Sequence, residues 1–164
     1  MNIRKARLAD AEQMAQIYNF YIENSHHTFE TEAISTAEMK KRIDETLKNY
    51  PFFVAEDDGG KIAAYAFANQ YKSRCAYRNS AEVSVYVKNG QGRRGTGAKL
   101  YEKLFAELLQ TDVHALIAGI ALPNEASIKL HERFGFEKVA HFREVGFKFE
   151  RWIDVGYWEL INCK

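Results

Sequence analysis

The sequence predicts an α/β protein, with helices packed on a mixed sheet in the α+β manner, and three kinds of signal predict it. Short apolar or alternating segments, typical of strands, are separated by segments whose apolar residues recur every three to four positions, as in helices. Capping residues and turn residues mark the junctions between them. The turn Asp57-Asp-Gly-Gly60 between two strand segments indicates a hairpin. The resulting order is β-α-α-β-β-β-α-β-α-β-β.

The first part of the chain supplies a strand, two helices and the hairpin. A strand over residues 3–6 precedes a helix over residues 10–24, whose apolar residues form one stripe. After a loop, Ser35-Thr-Ala-Glu38 is a capping box that opens a second helix, and Pro51 follows its end near residue 49. The hairpin strands then cover residues 52–56 and 61–69.

The second part alternates strands and helices and ends in two strands. A basic loop leads into a strand, a glycine-rich loop and the third helix. The predicted elements cover residues 81–87 (strand), 96–109 (helix), 115–122 (strand), 124–134 (helix), 137–142 (strand) and 155–161 (strand). Gly135 closes the last helix.

Length and composition limit the possible functions. The chain has 164 residues and no linker or repeat, so we expect one domain over residues 1–164. A net charge of +1 gives no basis for nucleic acid or an anionic membrane as a partner. No apolar run approaches the roughly 18 residues of a membrane span, and the first residues lack the apolar core of a signal peptide. Cys75 and Cys163 do not make a disulfide framework, and we expect a cytoplasmic protein.

The loop before the third helix carries the strongest functional signal. It reads Lys88-Asn-Gly-Gln-Gly-Arg-Arg-Gly-Thr-Gly97 and leads into a helix N-terminus, where unpaired N–H groups and the helix dipole favour an anion. Glycines allow close approach of the backbone, and Arg93 and Arg94 add full positive charges. The spacing is that of neither the dinucleotide fingerprint nor the Walker loop. A turn that only caps the helix is the alternative.

Two spaced motifs carry a resemblance to a known family. Gly92-Arg-Arg-Gly-Thr-Gly97 is similar to [Gln/Arg]-x-x-Gly-x-[Gly/Ala], with Gly92 in place of the expected Arg or Gln. Downstream, Asn-x-x-[Ala/Ser]-x-x-Leu-Tyr-x-x-x-Gly-Phe is matched with His131 replacing the Tyr; the matching residues are Asn124, Ser127, Leu130, Gly135 and Phe136. With the order of elements, these motifs resemble the GNAT superfamily of acyl-CoA-dependent N-acetyltransferases.

The GNAT resemblance implies that the co-substrate is acetyl-CoA, and it assigns binding residues. Backbone groups of Val85, Tyr86 and Val87 would pair with the pantetheine arm. Asn124 would hydrogen-bond the same arm in addition to capping its helix. The pyrophosphate would be held by the N–H groups of Arg93, Arg94, Gly95, Thr96, Gly97 and Ala98.

A closer resemblance covers nearly the whole chain. Segments such as Thr28-Phe-Glu-Thr-Glu32, Glu82-Val-Ser-Val-Tyr-Val87 and Arg151-Trp-Ile-Asp-Val-Gly-Tyr-Trp158 look like the phosphinothricin acetyltransferase branch. This branch acetylates the α-amino group of glutamate-like amino acids: phosphinothricin, methionine sulfoximine and methionine sulfone. Its members are homodimers whose contacts include the C-terminal region, which here is rich in aromatic residues. The resemblance therefore implies a small amino-acid substrate and a homodimer.

Glu82 is the candidate general base. Acetyl transfer to an amine requires a deprotonated amine, and an α-ammonium group is mostly charged at neutral pH. Glu82 begins the strand that enters the glycine loop, and alternation puts it on the face opposite Val83 and Val85. Its position resembles that of the family's proposed base. The alternative is a solvated carboxylate at a strand end.

His131 is the second candidate catalytic residue. It shares one helix face with Asn124 and Ser127, and it stands where many GNAT members carry a Tyr thought to protonate the CoA thiolate. An imidazole with its ordinary pKa near 6.5 suits acid or base work around neutral pH. A histidine buried for packing is the alternative.

The basic loop before Glu82 is the candidate substrate clamp. Lys72, Arg74 and Arg78 place three positive charges within seven residues, and Arg binds carboxylates in a bidentate manner. Ser73 lies beside them, and the alternative is a basic solvated loop. The family's loop around Phe29 and Glu30 lines the amine-substrate pocket.

Two further features receive no catalytic role. Cys75 has no base demonstrably beside it, so we expect direct transfer rather than an acyl-enzyme. His26-His27 lacks further ligands at zinc spacing, and we expect no metal.

The sequence therefore predicts an acetyl-CoA-dependent N-acetyltransferase for a small glutamate-like amino acid. Transfer to another amine, such as a protein N-terminus or a polyamine, is one alternative. A non-catalytic acyl-CoA-binding sensor, which would keep the glycine loop but need no base, is the other.

Overall fold

The described part of the chain forms seven strands and four α-helices in the predicted order. The computed structural model describes residues 1–92 and 94–162. Its elements are β1 (Asn2–Lys5), α1 (Ala11–Asn24), α2 (Thr36–Leu47), β2 (Phe52–Glu56), β3 (Ile62–Gln70), β4 (Ser80–Val87), α3 (Thr96–Leu108), β5 (Ala115–Ala121), α4 (Glu125–Arg133), β6 (Glu137–Lys148) and β7 (Arg151–Ile161). The strand order in the mixed sheet is β1-β2-β3-β4-β5-β7-β6. The predicted fold class is therefore confirmed.

The chain divides into two compact units that share strand β4. The first comprises Met1–Phe20, Ile34–Asn69 and Val83–Asp112; the second comprises Tyr21–Ala33, Gln70–Glu82 and the chain from Val113 onward. The expectation of one domain over residues 1–164 stays a prediction. No helix in the described part of the chain combines the length and apolarity needed to cross a membrane.

In the first unit, strands β1, β2 and β3 pair in antiparallel fashion, and α3 packs against β2. Register pairs Ile3 with Ala55, and Ala55 with Ala64. The apolar faces of the helices are buried in this core, which includes Met14, Ile43, Leu100, Tyr101 and Leu104. Beside the core, Arg4 binds both Asp10 (2.7 Å) and Glu56 (2.6 Å), which ties β1 to β2 and to the turn before α1.

In the second unit, β5 is the central strand. It pairs in parallel with residues 80–82 of β4 and in antiparallel fashion with β7, through seven consecutive residue pairs from Ala115↔Ile161 to Ala121↔Val155. Strand β6 pairs only with β7 among the described strands, and it contains two irregularities in register. Trp158 is buried and its indole N–H donates to Glu132 of α4 at 3.3 Å.

The C-terminal hairpin is longer than the sequence indicates. We expected strands over residues 137–142 and 155–161, whereas β6 continues to Lys148 and β7 begins at Arg151. The turn between them consists of Phe149 and Glu150, both with positive φ (52° and 57°). Two-residue turns of this kind usually contain Asn or Gly. Because neither residue is present, the sequence gives no turn signal here.

We predict that Gly156→Ala destabilises the protein. A Cβ at Gly156 would lie 2.5 Å from Cζ3 of Trp158 and 2.9 Å from its Cη2. Because this ring is buried, the overlap is expected to lower the free energy of unfolding by about 1–3 kcal/mol in urea denaturation. Gly92→Ala is the matched control, since a Cβ there meets no atom within 4 Å. Equal stability of the two variants would contradict the prediction.

Candidate active site

The glycine-rich loop in the first unit presents open backbone next to a helix N-terminus. Gly95 is the N-cap of α3 and adopts the left-handed conformation (φ 74°), which only glycine adopts without strain. It has no side chain with which to cap the first N–H groups of the helix. A Cβ at Gly90, Gly92 or Gly95 would meet no atom of the described residues within 4 Å. The loop is therefore open to an anion as large as a pyrophosphate.

The candidate anion-binding residues differ in exposure. Arg94 and Gly95 are exposed, Gly97 is half-buried, and Thr96 and Ala98 are buried. Arg93 lies outside the described residues, as does Cys163. Among the described residues, Lys88 and Arg94 are exposed cations of this loop, and the helix N-terminus adds partial positive charge.

Aromatic contacts hold the Tyr86 side chain near the end of β4. Val85, Tyr86 and Val87 are half-buried. The Tyr86 ring packs edge-on against Tyr18 (centroids 5.0 Å apart) and is tilted against Tyr65 (5.4 Å). Because aromatic contacts occupy the Tyr86 side chain, a ligand at this segment would pair with the main chain.

Glu82 is a half-buried carboxylate on β4, at the end of the Gln70–Glu82 segment of the second unit. It pairs with Ile117 of β5, and burial raises the pKa of its carboxyl group. Within residues 1–92 and 94–162, no group donates a hydrogen bond to this carboxylate. A carboxylate without donors and with a raised pKa is a better proton acceptor than a solvated one.

Tyr157 and Gly119 form the surroundings of Glu82, and neither was singled out for this role from the sequence. A Cβ at Gly119 would lie 3.5 Å from Glu82 Oε1 and 3.2 Å from Cε1 of Tyr157. Burial raises the pKa of the Tyr157 phenol, and the charge of Glu82 raises it further. The pairing of Gly119 with Tyr157 in the β5–β7 register places the Tyr157 side chain on the same face of the sheet as Glu82. The sequence alone does not contain this register.

Among the residues of the basic loop, Lys72 lies near Tyr157. Its Nζ lies 5.0 Å from the ring centroid of Tyr71 and 5.4 Å from that of Tyr77, and its charge acts on the Tyr157 phenol. By contrast, Arg78 donates to the Cys75 carbonyl oxygen (3.4 Å) within its own loop. Ser73 and Arg74 are exposed, and so is Cys75.

The loop with Phe29 and Glu30 is fastened to the C-terminal hairpin. Lys148, only 4% exposed, donates from Nζ to the carbonyl oxygens of Ser25 (2.8 Å) and Thr28 (2.9 Å). The Phe29 ring packs directly on Gly146, where a Cβ would overlap it. Burial lowers the pKa of Lys148, and the Glu30 charge opposes this effect. Lys148 was not among the predicted site residues, because its one signal in the sequence is a cation between two aromatic residues.

His131 is buried on α4 rather than open to a substrate. It is 3% exposed, and its ring meets Phe136 edge-on with centroids 5.2 Å apart. Its Nδ1 lies 2.8 Å from the Ser127 carbonyl oxygen, which can only accept, so Nδ1 carries the hydrogen. Burial lowers the pKa of His131. The imidazole is therefore neutral at pH 7. As predicted, Asn124 is the N-cap and its side chain accepts from Ser127 N–H (3.2 Å).

Metal ligands do not cluster in the described part of the chain. Within it, no group of three or more His, Cys, Asp or Glu residues could hold a metal ion. His26 instead contacts the Pro123 carbonyl oxygen (3.0 Å) and Arg151 (3.3 Å). The expectation that the protein uses no metal stays a prediction.

Comparison with known proteins identifies the family. The profile of the acetyltransferase (GNAT) domain matches residues 3–156. The chain belongs to the GNAT acetyltransferase family. It is thus an acetyltransferase, and the resemblance inferred from the two motifs is confirmed.

The relatives of this GNAT protein include amino-acid acetyltransferases. A phosphinothricin N-acetyltransferase of Streptomyces coelicolor is 39% identical over 97% of this chain and 95% of its own length. An L-methionine sulfoximine/L-methionine sulfone acetyltransferase of Pseudomonas aeruginosa is 32% identical over 97% of this chain and 93% of its own. A phosphinothricin acetyltransferase of Sinorhizobium meliloti, solved in complex with AcCoA, has a TM-score of 0.94 at 32% identity, covering 98% of this chain and 87% of its own.

We predict that His131 makes folding stability depend on pH. The unfolded chain protonates His131 at its ordinary pKa of 6.5, whereas the folded chain resists protonation. The unfolded state therefore binds more protons below pH 6.5, and stability present above that pH is lost as the pH falls. One such group contributes a slope of up to about 1.4 kcal/mol per pH unit.

The measurement is urea denaturation between pH 5 and 8 with His131→Gln. We expect a smaller slope below pH 6.5 than in the wild type, though not a zero slope, because burial also lowers the pKa of His27. His114→Gln, at an exposed residue, is the control. An unchanged slope in His131→Gln would show that this imidazole does not titrate as described.

Proposed function

We propose that the protein transfers an acetyl group directly from acetyl-CoA to the α-amino group of a small glutamate-like amino acid. Methionine sulfone, methionine sulfoximine and phosphinothricin represent this substrate class. The observation that carries the proposal is Glu82, a half-buried carboxylate with a raised pKa and no hydrogen-bond donor among the described residues. Amino-acid acetyltransferases among the relatives support the same class of acceptor.

The first unit would bind acetyl-CoA mainly through its backbone. The N–H groups of residues 93–98 would hold the pyrophosphate, and the main chain of residues 85–87 would pair with the pantetheine arm. The open glycines and the uncapped start of α3 support this assignment. Gly92, in place of the Arg or Gln of the family motif, removes one side-chain contact, and Arg94 would supply charge nearby. When bound, acetyl-CoA supplies the activated acetyl thioester.

Glu82 would accept the proton of the incoming ammonium group. It lies three residues before Val85 on the same strand, about 10 Å along the chain, so one element positions both the base and the pantetheine-binding backbone. Because burial raises the pKa of Glu82, its carboxylate is a stronger base than a solvated one. His131, neutral and buried, would assist proton transfer, since a neutral imidazole accepts protons rather than donating them at this pH.

Lys72 and Arg74 would bind the acidic groups of the acceptor. Two tyrosine rings flank the Lys72 ammonium, which fixes a positive charge near Tyr157. Arg74 is exposed and available for a carboxylate. Ser73 and Arg78 complete the loop, while Phe29 and Glu30 would close the pocket from the loop that Lys148 holds. The positive charges of Lys72, Arg74 and Arg78 would repel a cationic polyamine, which argues against a polyamine as the acceptor.

The protein would act as a cytoplasmic homodimer of single-domain subunits. The observation that supports a dimer is a large apolar surface on the second unit: Val139, Phe142, Val145, Phe147, Phe149 and Trp152 are each at least 50% exposed. Exposed apolar patches of this kind mark interfaces. Analytical ultracentrifugation tests the dimer, and a monomer at micromolar concentration would contradict it.

We predict that Glu82→Gln lowers kcat by about 100-fold or more, because a general base contributes on that order. The KM for acetyl-CoA should stay within a factor of two, since Glu82 has no role in its binding. The rise of the wild-type rate with pH as Glu82 loses its proton should also disappear. Glu137→Gln, at an exposed carboxylate of the same unit, is the control. Unchanged rates at every pH would exclude Glu82 as the base.

We predict that free CoA is released with methionine sulfone and not with spermidine or an N-terminal peptide. Lys72→Met should raise the KM for methionine sulfone by about tenfold or more, because a hydrogen bond to a charged group is lost, and leave the KM for acetyl-CoA unchanged. CoA release with the peptide or with spermidine, and not with methionine sulfone, would favour acetyl transfer to a protein N-terminus or to a polyamine. Tight acetyl-CoA binding without release from any amine would favour a sensor.

A further inference from the structure

Gly119 creates a gap in front of Glu82. It lies in the middle of β5, where Ala118 and Ile120 on either side are buried, yet Gly119 itself is exposed. A Cβ at this position would be 3.5 Å from Glu82 Oε1 and 3.6 Å from Cζ of Tyr157, the ring carbon that carries the hydroxyl group. A carboxylate oxygen and the edge of a phenol ring therefore lie beside the same exposed backbone position, where only a glycine leaves both in reach of solvent.

Sheet register fixes this arrangement. Gly119 pairs with Tyr157 across the antiparallel β5–β7 ladder, and Glu82 pairs with Ile117, two residues earlier on β5. Residues two apart on a strand point to the same face, so the three groups lie on one face of three adjacent strands. Their positions depend on backbone pairing rather than on flexible loops.

Tyr157 is a hydrogen-bond donor at neutral pH. Burial and the Glu82 charge both raise the pKa of its phenol, and the opposing effect of Lys72 is smaller. The hydroxyl group thus keeps its proton. The gap accordingly has a proton acceptor, Glu82, on one side and a proton donor, Tyr157, on the other.

We propose that Tyr157 donates a hydrogen bond to the α-carboxylate of the acceptor, whose amine faces Glu82 across Gly119. An α-amino acid carries its amine and its carboxylate on one carbon, about 3 Å apart. This spacing allows the amine to face the Glu82 carboxylate while the substrate carboxylate faces the Tyr157 hydroxyl group. Lys72, whose charge acts on Tyr157, adds a positive charge on the carboxylate side. Gly119 provides the space for the α-carbon. This inference rests on the proposed function and specifies how its substrate is recognised.

The test pairs a substitution with a change of substrate. Tyr157→Phe removes only the hydroxyl group, and 3-(methylsulfonyl)propylamine is methionine sulfone without its carboxylate. Tyr157→Phe should lower kcat/KM for methionine sulfone about tenfold, chiefly through KM, as expected for a lost hydrogen bond to a charged group. With the propylamine, kcat/KM should change less than about twofold, because the carboxylate that the hydroxyl group contacts is missing. At acceptor concentrations well below KM, the initial rate rises linearly with acceptor concentration. The slope of that line gives kcat/KM even for the propylamine, which we expect to be the poorer substrate.

Two controls separate recognition from folding. Tyr50→Phe removes a phenol hydroxyl group from the first unit and should leave both substrates unaffected. Gly119→Ala should lower kcat/KM for both substrates, because a methyl group would occupy the gap, while acetyl-CoA affinity measured by calorimetry stays within a factor of two.

An equal loss with both acceptors, or no loss with methionine sulfone, would overturn the role of Tyr157 while leaving the proposed function intact. Absence of CoA release by the wild-type protein with either acceptor would overturn the proposed function and this inference with it.

Discussion

Seven consecutive residue pairs between β5 and β7 are the interaction on which the second unit depends. They set Gly119 opposite Tyr157, and the parallel pairing of β5 with β4 adds Glu82 to the same face. A shift of register by one residue would turn every side chain of the moved strand to the other face. It would thus bury Tyr157 and expose Trp158, which now packs near α4. The apolar packing behind β5 and the polar groups in front of it are consequences of one ladder.

The same ladder explains how Glu82 can be half-buried with no hydrogen-bond donor among the described residues. A fully buried carboxylate would be neutral, and a fully solvated one would keep its ordinary pKa. Glu82 lies between these limits because Gly119 leaves open the side that β5 would otherwise cover with a side chain. The desolvation that destabilises its charge is therefore partial, and it raises the pKa without abolishing ionisation. Such an intermediate environment suits a group that gains and loses protons near neutral pH.

Local signals predicted the elements, whereas contacts set by register could not be predicted. Capping residues, apolar periodicity and the glycine loop are properties of short segments, and they gave the order of strands and helices. The turn at Phe149 and Glu150 lacked the usual residues, so the extension of β6 was missed. The packing of Phe29 on Gly146, and the bonds from Lys148 to the loop of Ser25, join residues more than 100 positions apart. No local pattern contains that information.

The two halves of the proposed site differ in the kind of group that does the binding. The glycine loop offers N–H groups, which every residue except proline retains after substitution. That is why Gly92 can stand in place of an Arg or Gln without removing the donors at the start of α3. The acceptor half instead depends on side chains, since Glu82, Lys72 and Tyr157 supply its charges and its donor. Substitutions in the second unit can therefore change the acceptor amine while the backbone cradle in the first unit keeps the same acyl donor. Strand β4 contributes Glu82 to the second unit and residues 83–87 to the first, so a single element carries residues of both parts.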